Sequence, residues 1–545
     1  MKQKKLLSFA AFIKNFLKSV GQVLLATIIL FIFLELIFRV LGFPSGADDF
    51  VEGVVMKTKL PFRKAKGEMR VFAYGESTLV GAPYDEVSGP IRWLEKYLKE
   101  FLPDQDVRIV NFARMGRGSN FTYQTFRDTL AYQPDIAIFY MGHNEFLQDE
   151  RKDEIPFEDS NTAYLFRSTV QQSRFISAVY REFVKRKIKR KEKKKLQDRM
   201  GRETIENQIG DRRATRALLH TDLFYRENLD FFRGNLSKIM KLAEKRKRPV
   251  IFMKPVSNIK DFPPIESAHM KNLSSEALSS WNILFKQGEK AEASGDDIGA
   301  LQFYEVARKI DPTYAELSFR LAKIYLRNGE LRDARQYFEE ARDNDTIMVR
   351  ANKDILGVYN DLRKTHRFVY LDTEKVLVSE SLAGILGDPV IVDNVHFSIK
   401  GHSLTGRALA EEIAAEGWIV PRSEWKFENE KSFSEISNEL GVNNEILISA
   451  YLKIIDYYGS LFDVRLRTIE KALAIAPNDS RVLRSEAWTY YLMKDEKKAF
   501  EIYQKLNAVD PAALQKIYAR NPEIRVLCEK FNDRIVGTPS QSTGY

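Results

Sequence analysis

The chain holds a single cysteine, Cys528, among 545 residues. One thiol excludes an intrachain disulfide and any multi-cysteine metal site. Histidine is also scarce: there are six, with no His-x-x-x-His pair, and no glycine-rich phosphate loop occurs. These absences predict a protein that works without a metal or a nucleotide cofactor. Positive charge is in excess but confined. The formal net charge is +10. The run Arg181 to Lys195 alone contributes +8, and five lysines before residue 20 contribute +5, so the remainder is close to neutral. Charge so localised does not predict nucleic-acid binding. The basic run reads as a solvated helix or linker; contact with an anionic surface is the sharper alternative. Hydrophobic content of 44% provides for a sizeable core, and the length suits three or four domains.

The one long apolar run is Val20 to Phe38, interrupted by Gln22 and Glu35. Nineteen helical residues span about 28 Å, close to the hydrocarbon thickness of a bilayer. Lys2, Lys4, Lys5, Lys14 and Lys18 precede it. The positive-inside rule then keeps residues 1–19 in the cytoplasm and sends the bulk of the chain, after a signal-anchor at 20–42, to a periplasm-like or extracellular space.

Beyond the anchor, apolar strand-like runs alternate with helical patterns. The runs are Val71–Tyr74, Val107–Phe112, Ile136–Tyr140, Pro249–Met253 and Phe368–Leu371. Such alternation predicts a parallel sheet with right-handed crossovers. The sheet domain is read in three parts, 55–150, 216–265 and 366–418. A basic insertion at 151–215 and a helical insertion at 275–362 separate them. In the second insertion Gly295, Ala300, Tyr304 and Ala307 recur 34 residues later as Gly329, Ala334, Phe338 and Ala341, and Gly288 pairs with Ala322. This spacing resembles the tetratricopeptide repeat, in which small residues let paired helices approach closely. A similar pattern over 430–535 sets Pro477 and Pro511 34 residues apart. Residues 536–545 read as a disordered tail.

Four clusters carry the chemistry: Gly75-Glu76-Ser77, Gly116, Gly142-His143-Asn144 and Asp393-Asn394-Val395-His396. The first three follow apolar strands, where open α/β sheets place ligands. Taken singly, Ser77 could be a helix N-cap and Asn144 a turn residue. Together and in this order they resemble the SGNH (GDSL-type) hydrolase superfamily of esterases, lipases and carbohydrate deacetylases. The resemblance implies a flavodoxin-like three-layer fold. It also implies Ser77 as nucleophile, His396 as base and Asp393 as its orienting acid, with Ser77, Gly116 and Asn144 forming the oxyanion hole. Ester hydrolysis requires such a set: a hydroxyl needs a base, the imidazole needs a carboxylate to fix its tautomer, and the tetrahedral oxyanion needs preorganised donors.

The sequence departs from the family pattern at Glu76, where aspartate is usual. His143, His269 and His402 rival His396. The carboxylate spacing and late position favour His396, while His143 stands where it could face substrate. The function expected is hydrolysis of an O-acylated envelope carbohydrate or a lipid ester. Acyl transfer through the same triad is the second reading, and a non-enzymatic repeat scaffold the third. The repeats are expected to offer a surface to a protein partner.

Overall fold

The computed structural model describes residues 2–41, 50–52, 59–61, 64–84, 87–147, 173, 175 and 217–536. The basic insertion, apart from Ser173 and Phe175, and the tail 537–545 lie outside the described residues.

A two-stranded antiparallel ribbon, β1 (Phe50–Glu52) with β2 (Lys59–Pro61), precedes the main sheet. The sheet comprises β3 (Met69–Gly75), β4 (Val107–Asn111), β5 (Ile136–Tyr140), β6 (Val250–Met253) and β7 (Val369–Leu371). Its order is β4-β3-β5-β6-β7, and every pairing is parallel. This is the flavodoxin-like order, in which the chain reverses its direction of winding between the first and third strands of the sheet, here β3 and β5.

Strand residues alternate between two cores, as the two-residue period of a strand demands. Val71, Ala73, Ile136, Ile138, Ile251 and Met253 face one layer, built on helices Pro90–Phe101 and Ile399–Glu416. Phe72, Tyr74, Ala137, Phe139, Val250 and Phe252 face the other. That layer contains helices Ser119–Thr129, Leu223–Lys245 and Lys353–Thr365. The fold is thus a three-layer α/β sandwich, with helices on both faces of a parallel sheet. Helix Pro90–Phe101 shows the local cause: proline at its first turn presets the backbone dihedral, and Ile91, Leu94, Leu98 and Phe101 recur at helical spacing, all buried. Truncating Phe101 to alanine costs about 3–5 kcal/mol by the usual cavity penalty.

Four helices fill the interval between β6 and Lys353–Thr365: Ser275–Ala293, Asp297–Ile310, Ala315–Arg327 and Leu331–Asp343. Ala300, Tyr304, Ala307, Ala334, Phe338 and Ala341, the residues that recur with the period, are all buried in their own core. Gly288 is small for a reason, because a Cβ there would lie 2.3 Å from the Tyr304 ring. The sequence reading extended this insertion to residue 362. Ile355, Val358, Tyr359 and Leu362 instead pack on Phe139 and Phe252 of the sheet, so helix Lys353–Thr365 lines the sheet face.

At the carboxyl end, helices Phe433–Leu440 and Asn444–Tyr457 join the sheet-side core through Ile436, Leu440, Ala450 and Ile454. Five further helices continue from Phe462–Ile475 to Pro522–Val536. At the amino end a single helix, Lys2–Val40, includes a stretch Lys18–Val40 with mean hydropathy 2.6, long and apolar enough to cross a membrane. Within it Glu35 pairs with Arg39 at 3.0 Å and accepts a hydrogen bond from the Ser173 hydroxyl at 2.8 Å.

Candidate active site

The site forms where β3 and β5 end side by side, at the point where the winding reverses. Ser77 opens the short helix Ser77–Val80 directly after β3. Gly116 lies in the loop after β4, and Gly142 to Asn144 follow β5. The Asp393–His396 segment arrives from the far end of the chain. It is a tight loop, closed by a bridge between Ile391 and Phe397 and by the Val392 N–H donating to the His396 carbonyl at 2.8 Å. Thr78 ties this loop to the serine, its hydroxyl donating to the Val395 carbonyl at 3.2 Å.

His396 Nε2 lies 2.7 Å from Ser77 Oγ, and His396 Nδ1 lies 2.6 Å from Asp393 Oδ2. A carboxylate at Nδ1 requires the proton there, which leaves Nε2 to accept the serine O–H. The other Asp393 oxygen accepts the backbone N–H groups of Val395 and His396 at 3.0 and 2.8 Å. Burial works to raise the Asp393 pKa. The imidazole beside it and these hydrogen bonds outweigh burial and hold it below the usual carboxylate range. Asp393 is therefore an anion matched to His396, with no second role as a proton donor.

The other predicted residues lie in the loops after β4 and β5, the strands on either side of β3. The Arg114 N–H donates to the Gly75 carbonyl at 2.9 Å, extending the pairing of β3 and β4 past the strand ends. Gly116 then turns through the left-handed region at φ +66°, a conformation that favours glycine. Asn144 Nδ2 donates to the Arg117 carbonyl at 3.1 Å, which fixes its amide against the same loop. An amide nitrogen carries two protons, so one remains for a ligand. Ser77, His396 and Asp393 are thus hydrogen-bonded in series, while Gly116 and Asn144 lie in the loops that follow the neighbouring strands β4 and β5.

The rival histidines are occupied elsewhere. His143 is buried, accepts the Ala351 N–H on Nδ1 at 3.0 Å and lies 3.1 Å from the Tyr140 hydroxyl through Nε2. Burial, with the nearby His396, brings its pKa down to about 3, so it stays neutral. The expectation that it could face substrate is thereby corrected: His143 points inward and joins the β5 loop to the start of helix Lys353–Thr365. His402 is buried beside Ser88, at 3.1 Å, and burial likewise brings its pKa to about 3. His269, in the segment before the repeat helices, pairs with Asp311 of that insertion at 2.8 Å.

Two contributors were not anticipated from sequence. Glu76, the departure from the family pattern, is buried, and its carboxylate accepts the backbone N–H groups of Gly142, His143 and Asn144. Tyr458 donates its hydroxyl to Asn394 Oδ1 at 2.6 Å, while Asn394 Nδ2 donates to the Val349 carbonyl at 3.3 Å. Residues outside the sheet domain proper therefore brace the loop that carries Asp393 and His396.

Residues 284–346 match the tetratricopeptide repeat family model. No curated protein matches the chain. Similar solved structures include a lipase/acylhydrolase from Enterococcus faecalis, at 11% identity over 67% of this chain and 100% of that one, with TM-score 0.28. A GDSL-like lipase from Bacteroides thetaiotaomicron matches at 12% identity over 65% and 91%, with TM-score 0.28. An acetylxylan esterase from Geobacillus stearothermophilus matches at 13% identity over 63% and 94%, with TM-score 0.28. At such identities the chemistry has to be argued from this chain's own residues.

Proposed function

We propose that this chain is a serine ester hydrolase. The observation that carries the reading is the unbroken hydrogen-bonded chain from Ser77 Oγ through His396 to the buried Asp393 carboxylate. In the reaction His396 Nε2 takes the Ser77 proton as Oγ attacks the ester carbonyl. The same proton then passes to the leaving alkoxide, and water repeats the cycle on the acyl-enzyme. The Asp393 anion stabilises the imidazolium that forms in each half. The Ser77 and Gly116 N–H groups and the free Asn144 amide proton receive the oxyanion.

The N-terminal apolar helix acts as an uncleaved anchor. It places the site on the outer face of a bacterial-type cell membrane, against O-acylated envelope carbohydrate or lipid ester. The helical repeats offer a docking surface to a protein partner. Passing the acyl group to a sugar hydroxyl instead of water would use the same residues. A panel of acetyl and butanoyl esters, assayed with the parent and the Ser77→Ala variant, tests the reading. Turnover that disappears with Ser77 supports it. Turnover equal in both proteins, or none with any ester in a folded parent, sinks it and leaves the repeats as the functional part.

A further inference from the structure

The loop after β4 carries two arginines that form no ion pair among the described residues. In Arg114-Met115-Gly116-Arg117 the two arginines flank, along the chain, the glycine assigned to the oxyanion hole. Both are held against the site by their backbones. The Arg114 N–H bonds to the Gly75 carbonyl at 2.9 Å, two residues before Ser77, and the Arg117 carbonyl receives the Asn144 amide at 3.1 Å. Both guanidinium groups lie over one ring, that of Phe121, at 5.8 and 5.7 Å from its centroid. Arg114 is exposed and Arg117 half-buried.

Among the described residues neither arginine has a carboxylate partner. The carboxylates of the neighbourhood are engaged elsewhere: Glu76 with the Gly142–Asn144 backbone, Glu145 with the Ser119 N–H and hydroxyl at 2.9 and 2.7 Å, and Asp393 with His396. Two adjacent cations on one aromatic ring repel each other, and among the described residues no carboxylate compensates them. An arginine fork is suited to planar, bidentate capture of an oxyanion, and stacking on an aromatic ring preorganises it for that. Beside them lie Met115, at 60% exposure, and the half-buried Phe121.

We propose that Arg114 and Arg117 form a specificity site for esters that carry a carboxylate or phosphate close to the scissile bond. The assignment rests on the ester-hydrolase reading above. In productive binding the anion lies against the guanidinium pair while the ester carbonyl enters between Gly116 and Asn144. Selectivity for the charged ester over its neutral analogue then comes from the loop itself.

The test uses the full chain in detergent with three acetate esters: 4-acetoxybenzoate, 4-acetoxyphenyl phosphate and the neutral 4-methylphenyl acetate. Each kcat/KM is divided by the ester's rate of alkaline hydrolysis. The parent is expected to favour at least one anionic ester by roughly 10- to 100-fold, the span of one or two charge-assisted hydrogen bonds. The arm that wins distinguishes carboxylate from phosphate. Arg114→Gln and Arg117→Gln should each shrink that preference through KM, and Arg114→Glu should reverse it. Raising ionic strength should erode the preference in the unmodified protein, a readout that needs no variant. Ser77-dependent hydrolysis with no anion preference, or a preference that survives both glutamine variants, overturns the specificity site and leaves the esterase reading standing. Absence of Ser77-dependent hydrolysis with all three esters removes both.

Discussion

The Glu76 carboxylate accepts the Gly142 N–H at 2.8 Å, and the neighbouring His143 and Asn144 N–H groups at 3.1 and 3.4 Å. One buried side chain, adjacent in sequence to Ser77, thereby fixes the loop that carries Asn144. Ser77 and the loop of Asn144 are linked through a single residue. Replacing Glu76 with glutamine removes the charge and turns an NH2 group toward backbone donors. The expected cost is about 1–3 kcal/mol, that of leaving buried N–H groups unsatisfied, together with reduced turnover. Glu76→Asp keeps the acceptor and should lose less of both. Denaturant unfolding and kcat on an activated acetate ester read the two effects. Unchanged values in Glu76→Gln would show that the carboxylate is dispensable.

Asn144→Ala should lower kcat far more than stability. Loss of one oxyanion donor typically costs about 2.7–4 kcal/mol of transition-state stabilisation, or roughly a hundredfold to a thousandfold in rate. The ground-state bond given up, to the Arg117 carbonyl, is worth only about 1 kcal/mol. Normal turnover in a folded variant would remove Asn144 from the oxyanion hole.

Tyr458→Phe deletes one hydroxyl, the donor to Asn394, in a buried setting. The loop carrying Asp393 and His396 should loosen while Ser77 and the Gly116 loop stay in place. The expected result is a several-fold fall in kcat with KM little changed, since a 1 Å misplacement is enough to weaken a near-attack geometry. Kinetics on a small ester check this. A fall in stability alone, with kcat intact, would make Tyr458 a packing residue only.

Acid should destabilise the protein through His143 and His402. Both are held at about 3 in the folded state, against about 6.5 when unfolded. The unfolded chain therefore binds more protons between pH 6.5 and 3. Stability is complete above pH 6.5 and falls as pH drops through that window, by about 1 kcal/mol per pH unit for each histidine. Asp393, with its pKa lowered, adds a loss only below the ordinary carboxylate range. The urea midpoint measured from pH 7 to 4.5 should fall, and a His402→Asn variant should show a shallower slope. Equal slopes in the two proteins would contradict the assignment of His402 as a neutral, buried group.

Much of this was legible in the sequence because it is local. Each of the five sheet strands is an apolar run, and the Ser77, Gly116 and Asn144 motifs follow three of them immediately. The periodic small and aromatic residues announced the repeats, whose fixed spacing reflects stacked units. Helix Lys353–Thr365 was harder to place. An amphipathic helix that covers a sheet and one that closes a repeat have the same 3.6-residue pattern, and only the partner differs. Glu76 looked like a weakened motif because its three backbone partners lie more than sixty residues away. The Tyr458–Asn394 bond, 64 residues apart in sequence, gives no periodic signal at all.

The most direct test of the central claim is covalent labelling by a fluorophosphonate, followed by intact-mass and peptide analysis. The account predicts a single adduct on Ser77, blocked by Ser77→Ala and strongly slowed by His396→Ala, because the hydroxyl is reactive only while its base is in place. Absence of an adduct in the folded protein, or labelling on another residue at the same rate in Ser77→Ala, would contradict it.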